Sequence, residues 1–491
     1  MEEQGKFLHI VMFPWLAIGH LRPFLRLSIC LARKGHRISF VSTPRNLQRA
    51  VKVPQDVSHL INVVAFPLPE VEHLPPHAES SMDVPHVKQQ LLKVAFDLLR
   101  PSVRDFLDNA RPKPDWIVYD YASHWLPQLA EEMGISRAFF SLFTAAFMAF
   151  LGPPSALMDQ KYSRSTAADF TVVPEWIPFS IAQLRSVQII SHFQILKLNL
   201  EPEFYQCFPG GKILVPSLET DADGNEYDSG TSDSIRFGLS IDGSEIVIFR
   251  SCVEFEPEWF DLVRQLYQKP VIPVGVLPVE DKDEEDDSNK EWPKIKQWLD
   301  AQKDDSLVYV ALGTEAALSQ TEARELALGL EQCGLPFFWV LNRNYLPQML
   351  PDGFRERVAN RGMVYTEWAP QIKILSHPAV GAFLTHCGWN STTEALGFGR
   401  VLILFPVMND QGPNARLLQE KKVGVEIPRN EKDGSFTRDS VAETVRLVLV
   451  SEEGRKVREN ARKMKELFGD RSRSSSYVDS LVHHMVQTRT R

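Results

Sequence analysis

One unit recurs along this chain and limits its fold more than any other feature: a short apolar run, a polar or glycine-bearing turn, then a helix-forming stretch. Phe7–Phe13 is a near-continuous apolar run, followed by a turn over Pro14–Pro23 and a helical stretch over Phe24–Ala32. Val380–Thr385 is another, followed by the turn His386–Trp389 and a helix through Glu394, for which Asn390 or Ser391 is a good N-cap. Val401–Phe405 repeats the apolar run, and shorter runs end near Asp120, Gly313 and Tyr365. Runs that are apolar on both faces suit central strands of parallel sheets. Strands alternating with helices in both halves predict an α/β protein with parallel sheets. At 491 residues the chain exceeds one small core, so two domains are expected. The break falls around Pro270–Pro278 and the acidic run Glu280–Asp287, which reads as a solvated loop because like charges repel without fixed geometry.

Open α/β sheets bind ligands beyond the carboxyl ends of their strands, so the residues there carry the chemistry. Trp368, Ala369, Pro370 and Gln371 follow the strand piece Gly362–Tyr365, and Pro370 disfavours helix at Ala369. Trp368 has a face for a planar base, worth about 1–3 kcal/mol by stacking; the alternative is a tryptophan packed in the core. The strand–turn–helix unit at 380–394 aims N–H groups and a positive dipole end at an anion. A diphosphate fits there, with His386, Asn390 and Ser391 adding donors. Glu394 can accept from ribose hydroxyls or stand as an ordinary helix glutamate. Asp410 and Gln411 follow Val401–Phe405, where a carboxylate and an amide suit sugar hydroxyls.

The N-terminal half offers a second group. His20 lies on the turn after the first strand, and Asp120 closes the run from Pro114. Either residue can be structural, Asp120 as a plain N-cap. Together they have the logic of a His–Asp pair, in which the carboxylate fixes the tautomer and stabilises the imidazolium.

The run from Trp368 to Gln411 resembles the C-terminal signature of plant UDP-dependent glycosyltransferases, the family 1 small-molecule enzymes. The resemblance covers essentially the whole chain. It implies two Rossmann-like domains facing across a cleft, the GT-B arrangement: residues 1–265 with a returning C-terminal helix 474–491 for the acceptor, and 266–473 for UDP-sugar. It implies that His20 is the general base and Asp120 its orienter. Trp368, Ala369, Gln371, His386, Trp389, Asn390, Ser391, Glu394, Asp410 and Gln411 would hold the UDP-sugar. Thr144 would touch the donor sugar and Thr314 a phosphate, although each hydroxyl can instead bond its own backbone. The reaction would be a direct inverting displacement without a metal or other cofactor. Thr314 stands where the family usually has serine, Val401 where it has proline, and Arg22 where a shorter polar residue is common. Arg22 and Glu315 therefore bear on donor and acceptor preference. Arg250–Trp259 and Asp410–Leu418 look more like a subgroup that adds a sugar to a flavonoid or terpenoid glycoside. Glucose is the favoured donor sugar, because the Asp410–Gln411 ending resembles the glucose-favouring form; rhamnose is the main alternative and xylose the third. A nucleotide-sugar-binding protein without catalysis and an epimerase acting on UDP-sugar are the rival classes.

Composition sets bounds. Hydrophobic content of 44% and charge of 24% are ordinary for a globular protein, and a net charge of −9 argues against a nucleic-acid surface. The five cysteines are scattered without a C-x-x-C pair, as in a reducing cytoplasm. The start is acidic and lacks a signal n-region. Ala138–Pro154 is the longest uncharged apolar run; it is too short and interrupted for a membrane span and reads as a buried strand and loop. Gly210–Lys212 lacks the Walker pattern, and Asp221–Gly224 places its glycine too early for a calcium loop. The sequon at Asn390 is better read as part of the phosphate turn. Val478, Leu481, Val482, Met485 and Val486 have helical spacing and should pack on a core. A cytoplasmic monomer with a UDP-sugar donor and a small-molecule or glycoside acceptor is expected.

Overall fold

Two all-parallel sheets organise the chain. The computed structural model describes residues 7–159, 174–178, 227–278, 290–313, 318–341, 349–430 and 434–489. The first sheet contains β1 (His9–Phe13), β2 (Arg37–Ser42), β3 (Ile61–Ala65), β4 (Trp116–Tyr119), β5 (Ser136–Ser141), β6 (Ile246–Phe249) and β7 (Val271–Pro273). The second contains β8 (Leu307–Ala311), β9 (Phe337–Val340), β10 (Gly362–Tyr365), β11 (Val380–Thr385), β12 (Val401–Leu404) and β13 (Gly424–Glu426). Their orders are β3-β2-β1-β4-β5-β6-β7 and β10-β9-β8-β11-β12-β13. Both orders reverse direction once, at β1/β4 and at β8/β11. β1, β4, β6, β8 and β12 are buried throughout, which explains why they read as continuous rather than alternating apolar runs.

The chain clusters into two compact units, one ending at Leu277 but including the helix from Arg471, the other spanning Pro278–Asp470. A boundary at 265/266 would cut β7 from β6, with which it pairs from Val247–Val271 to Phe249–Pro273. The first unit therefore runs past that expected boundary. Its core joins Leu8, Ile10, Phe24 and Ile38 to Val478, Leu481 and Met485 of the helix Arg471–Thr488. Trp116 Nε1 donates to the Met485 carbonyl at 3.0 Å, pinning that helix to β4.

Three local elements differ from the sequence expectation. The first helix spans Ile18–Arg33, so His20 sits in its opening turn rather than on a long loop. Pro23 is inside it, beyond the first turn, where it omits one i→i−4 hydrogen bond, while Leu21, Phe24, Leu27 and Leu31 make the buried stripe. The helix after β11 spans Trp389–Gly397 and its N-cap is Gly388 with φ −62°, so Asn390 and Ser391 lie within its first turn and do not cap it. The backbone alone turns the chain at Gly388. Ala138–Pro154 contains the end of β5 and a wholly buried helix, Ala145–Leu151, where a loop was expected.

Candidate active site

A sheet whose order reverses opens a crevice beyond the carboxyl ends of the two central strands. In the first sheet β1 and β4 align Phe13 with Tyr119, so the next turns of chain carry His20 and Asp120. In the second, β8 and β11 align Ala311 with Thr385, so Gly313 and His386 follow. Each unit thus places its polar groups at its own switch point.

His20 Nδ1 lies 2.8 Å from Asp120 Oδ2. Asp120 is buried, and the same oxygen accepts the Trp15 N–H at 2.7 Å while Oδ1 accepts the Ala122 N–H at 3.2 Å. These donors fix the carboxylate, and the carboxylate fixes the ring. A neutral imidazole donating from Nδ1 carries its lone pair on Nε2. The His20 side chain is 16% exposed, enough for a substrate to reach it. Tyr121 and Phe143 stand 5.9 and 6.2 Å from the ring, and Phe237 stacks on Tyr121 at 4.6 Å. The histidine therefore sits in an aromatic wall suited to a large apolar molecule.

The second unit carries the helix start at which the sequence places an anion. The helix Trp389–Gly397 has no acidic residue in its first turn to neutralise its positive end. His386 precedes it and is half-buried, its Nδ1 atom enclosed and without a hydrogen bond among the described residues. Burial lowers its pKa from 6.5 to about 4, with the Ala311 backbone opposing, so the ring is a neutral donor at pH 7 and not a cation. Glycines surround it: a Cβ on Gly313 (φ +80°) would lie 2.9 Å from Nε2, and one on Gly388 would lie 2.4 Å away. Cys387, between His386 and Gly388, adopts φ 67°, a left-handed conformation costing a non-glycine residue about 1–2 kcal/mol.

Gln371 joins two parts of the sequence motif. Its Nε2 donates to Ser391 Oγ at 3.1 Å and to Glu394 Oε2 at 2.8 Å. Trp368, three residues before it, is 52% exposed, and Ala369 is buried beneath. The indole is thus presented, not packed away. Beyond β12, Asn414 Nδ2 donates to Asp410 Oδ2 at 2.6 Å and to the Cys387 carbonyl at 3.1 Å. One amide ties the Asp410 loop to the His386 turn. Gln411 folds back, its Oε1 accepting the N–H groups of Val407 and Met408 at 2.9 and 2.8 Å.

Other expected residues are placed differently. Thr144 is fully buried as the N-cap of Ala145–Leu151, its hydroxyl accepting the Phe147 N–H at 3.1 Å, which is the backbone-bonded alternative. The Trp389 indole is buried and packs edge-on to Phe468. Asn390 is partly exposed in the helix's first turn. Thr314 and Glu315 lie outside the described residues, as do the acidic run 280–287 and the stretches 210–212 and 221–224. The two glycines around His386, the aromatic wall and Asn414 escaped the motif reading. A glycine directly after a strand was the available signal for Gly313; for Tyr121, Phe143 and Phe237 there was none.

Sheets of Rossmann order with polar groups gathered at both switch points define a two-domain α/β enzyme of nucleotide-binding design. The chain matches the family model "UDP-glucoronosyl and UDP-glucosyl transferase" over residues 249–475. It is 52% identical to UDP-glycosyltransferase 91C1 of Arabidopsis thaliana, the match covering 99% of this chain and 98% of the relative. It is 37% identical to soyasaponin III rhamnosyltransferase of Glycine max, over 99% and 97% of the two chains. Its fold is similar to that of Phytolacca americana UGT2, with a TM-score of 0.74 at 23% identity over 97% and 99% of the chains. The protein belongs to the UDP-glycosyltransferase family and has the GT-B fold. Among the described residues, no cluster of three or more His, Cys, Asp or Glu is placed to hold a metal ion, and no helix is long and apolar enough to cross a membrane.

Proposed function

We propose that this enzyme moves a hexose, glucose in preference, from a UDP-sugar to a hydroxyl of a plant small molecule or its glycoside, with inversion and with His20 as base. The observation that carries the reading is the His20–Asp120 pair at 2.8 Å, held at a sheet switch point within an aromatic wall. His20 Nε2 takes the acceptor proton, and the oxygen attacks the anomeric carbon as UDP leaves from the opposite face. Asp120 stabilises the imidazolium that forms. A base of this kind contributes about 10²–10⁴ in rate.

The unit spanning Pro278–Asp470 is read as the donor side. Trp368 stacks on uracil, with the Ala369 backbone beside it. Gln371 and Glu394, already joined, meet the ribose. The diphosphate lies at the start of Trp389–Gly397, contacted by neutral His386, the Asn390 and Ser391 side chains, the Trp389 main chain and Thr314. A neutral donor in a buried site strengthens its hydrogen bond as negative charge develops on the leaving group. Asp410 accepts from sugar hydroxyls, and the Gln411 Nε2, which donates to no described residue, is available to them. Thr144, whose hydroxyl caps Ala145–Leu151, is read as lying beside the donor sugar. No metal has a part in this reading.

Acceptors are read as flavonoids, terpenoids or their glycosides, and the relative named for soyasaponin III supports a glycoside. The same name keeps UDP-rhamnose as the second donor reading. The free thiols of Cys30, Cys252, Cys333 and Cys387 support a cytoplasmic setting, and the enzyme is taken to act as a monomer.

Mass spectrometry of products from a UDP-sugar panel with plant aglycones and their glucosides tests the reaction. His20→Ala is expected to cut turnover about 10²-fold or more while UDP still binds, and EDTA is expected to leave wild-type turnover intact. Near-normal turnover by folded His20→Ala protein would remove His20 as base.

A further inference from the structure

We propose that Arg236 is a positioning residue for the His20–Asp120 pair, an inference that rests on reading that pair as the base and its orienter. Arg236 is fully buried on the helix Asp233–Asp242. Its Nη2 donates to Asp97 Oδ2 at 2.6 Å and its Nη1 to Asp97 Oδ1 at 3.0 Å. The same Nη1 reaches the Ala122 carbonyl at 2.8 Å and His124 Nδ1 at 3.0 Å, and Nε donates to the Thr231 carbonyl at 3.1 Å.

Ala122 is the link to the chemistry. Its carbonyl is held by Arg236, and its N–H donates to Asp120 Oδ1. The other Asp120 oxygen holds His20. The contacts run Asp97, Arg236, Ala122, Asp120, His20, each within hydrogen-bond distance of the next. Ser240, one turn along the same helix, adds a bond to the Tyr121 carbonyl at 3.1 Å. The loop carrying Asp120 is thus gripped from one helix by side chains of fixed direction.

Stability alone does not account for this arrangement. A buried Arg–carboxylate pair often contributes no more than apolar residues of the same volume, because desolvation offsets the attraction. What arginine supplies is a rigid fork of five donors, which can serve a carboxylate and a carbonyl together. Lysine keeps the charge but lacks the fork. A second ion pair, Lys93 Nζ to Asp233 at 2.6 Å, joins the helix Gln89–Asp97, which ends in Asp97, to the helix Asp233–Asp242 and would keep the two docked when Arg236 is altered.

The test is a double-mutant cycle on kcat, with UDP-glucose and the glucoside of fastest turnover in the panel. Arg236→Lys is expected to lower kcat about tenfold or more. UDP affinity by calorimetry should change less than twofold, because UDP is read as bound by the other unit. In an Asp120→Ala background the same substitution should change kcat less than twofold. Wild-type kcat in folded Arg236→Lys protein overturns the inference. So does an equal loss in both backgrounds, which marks a purely structural role. Where Arg236→Lys does not fold, the neutral pair Asp97→Asn with Arg236→Gln leaves no unpaired buried charge and enters the same cycle with the same two overturning outcomes. Failure of the underlying reading looks different: Asp120→Ala by itself would then retain wild-type kcat.

Discussion

Gly388 stands so close to His386 that a Cβ in its place would lie 2.4 Å from Nε2 of the imidazole. The backbone at Gly388 has an ordinary φ of −62°, so alanine fits the chain and only the ring contact objects. Gly388→Ala is therefore expected to displace His386 and weaken UDP binding tenfold or more, about 1.4 kcal/mol, in a protein that stays folded. Calorimetric titration with UDP measures this, and an unchanged Kd would show that the ring position does not matter for the diphosphate.

The neutrality of His386 predicts a pH dependence. Burial lowers its pKa to about 4 from 6.5. Between those values the unfolded chain binds a proton that the folded protein does not, so stability falls as pH drops through the window. The contribution is fully present above about 6.5 and is lost towards 4, on a scale of about 3 kcal/mol. His9, His36 and His124 shift in the same direction, so the test is a difference. Urea unfolding from pH 7 to pH 4 should show wild type losing stability more steeply than His386→Asn. Parallel slopes would mean that the ring is protonated in the folded state.

Gln371 gives a charge test of the ribose region. Its Nε2 lies 2.8 Å from Glu394 Oε2. Gln371→Glu sets two carboxylates against each other, whereas Gln371→Ala only removes a donor. At pH 7.5 the glutamate variant should bind UDP more weakly than the alanine variant. The gap should narrow at pH 5, as the pair shares a proton. A pH-independent ratio of the two affinities would argue that Glu394 is not charged beside residue 371.

The proposed donor preference rests on Asp410, whose carboxylate accepts from Asn414 Nδ2 at 2.6 Å. A carboxylate can accept from two neighbouring hydroxyls, and a site built for hydroxyls rejects a sugar that leaves it unpaired. The expected order of kcat/KM is UDP-glucose, UDP-rhamnose, UDP-xylose with one accepted glycoside. A tenfold or greater preference for UDP-rhamnose, about 1.4 kcal/mol, would reverse the ranking and direct attention to Arg22, Thr144 and Glu315.

Much of this was legible along the chain. The buried strands showed as continuous apolar runs, because burial on both faces leaves no room for alternation. The stretch from Trp368 to Gln411 carried its residue types in order, so the kind of ligand could be read before any geometry. Helix starts were less legible. The chain enters helix at Ile18 and at Trp389 through Ala17 and Gly388, neither of which offers a capping side chain. Asn390 and Ser391 have the right chemistry for a cap but fall two and three residues past it, inside the first turn.

What the sequence determined by itself was the set of local choices: which segments are strands, which are helices, and which side chains stand at strand ends. These depend on residue type and short-range periodicity, which a linear reading contains. Only the tertiary structure decided which strand ends meet. The β1/β4 and β8/β11 pairings bring His20 to Asp120 across 100 residues and place Gly313 against His386. It also decided that His386 is neutral, that Thr144 is a cap, and that Arg236 grips Ala122 from 114 residues away. Those outcomes depend on burial and strand order, which arise when distant segments exclude water together and which no local propensity encodes.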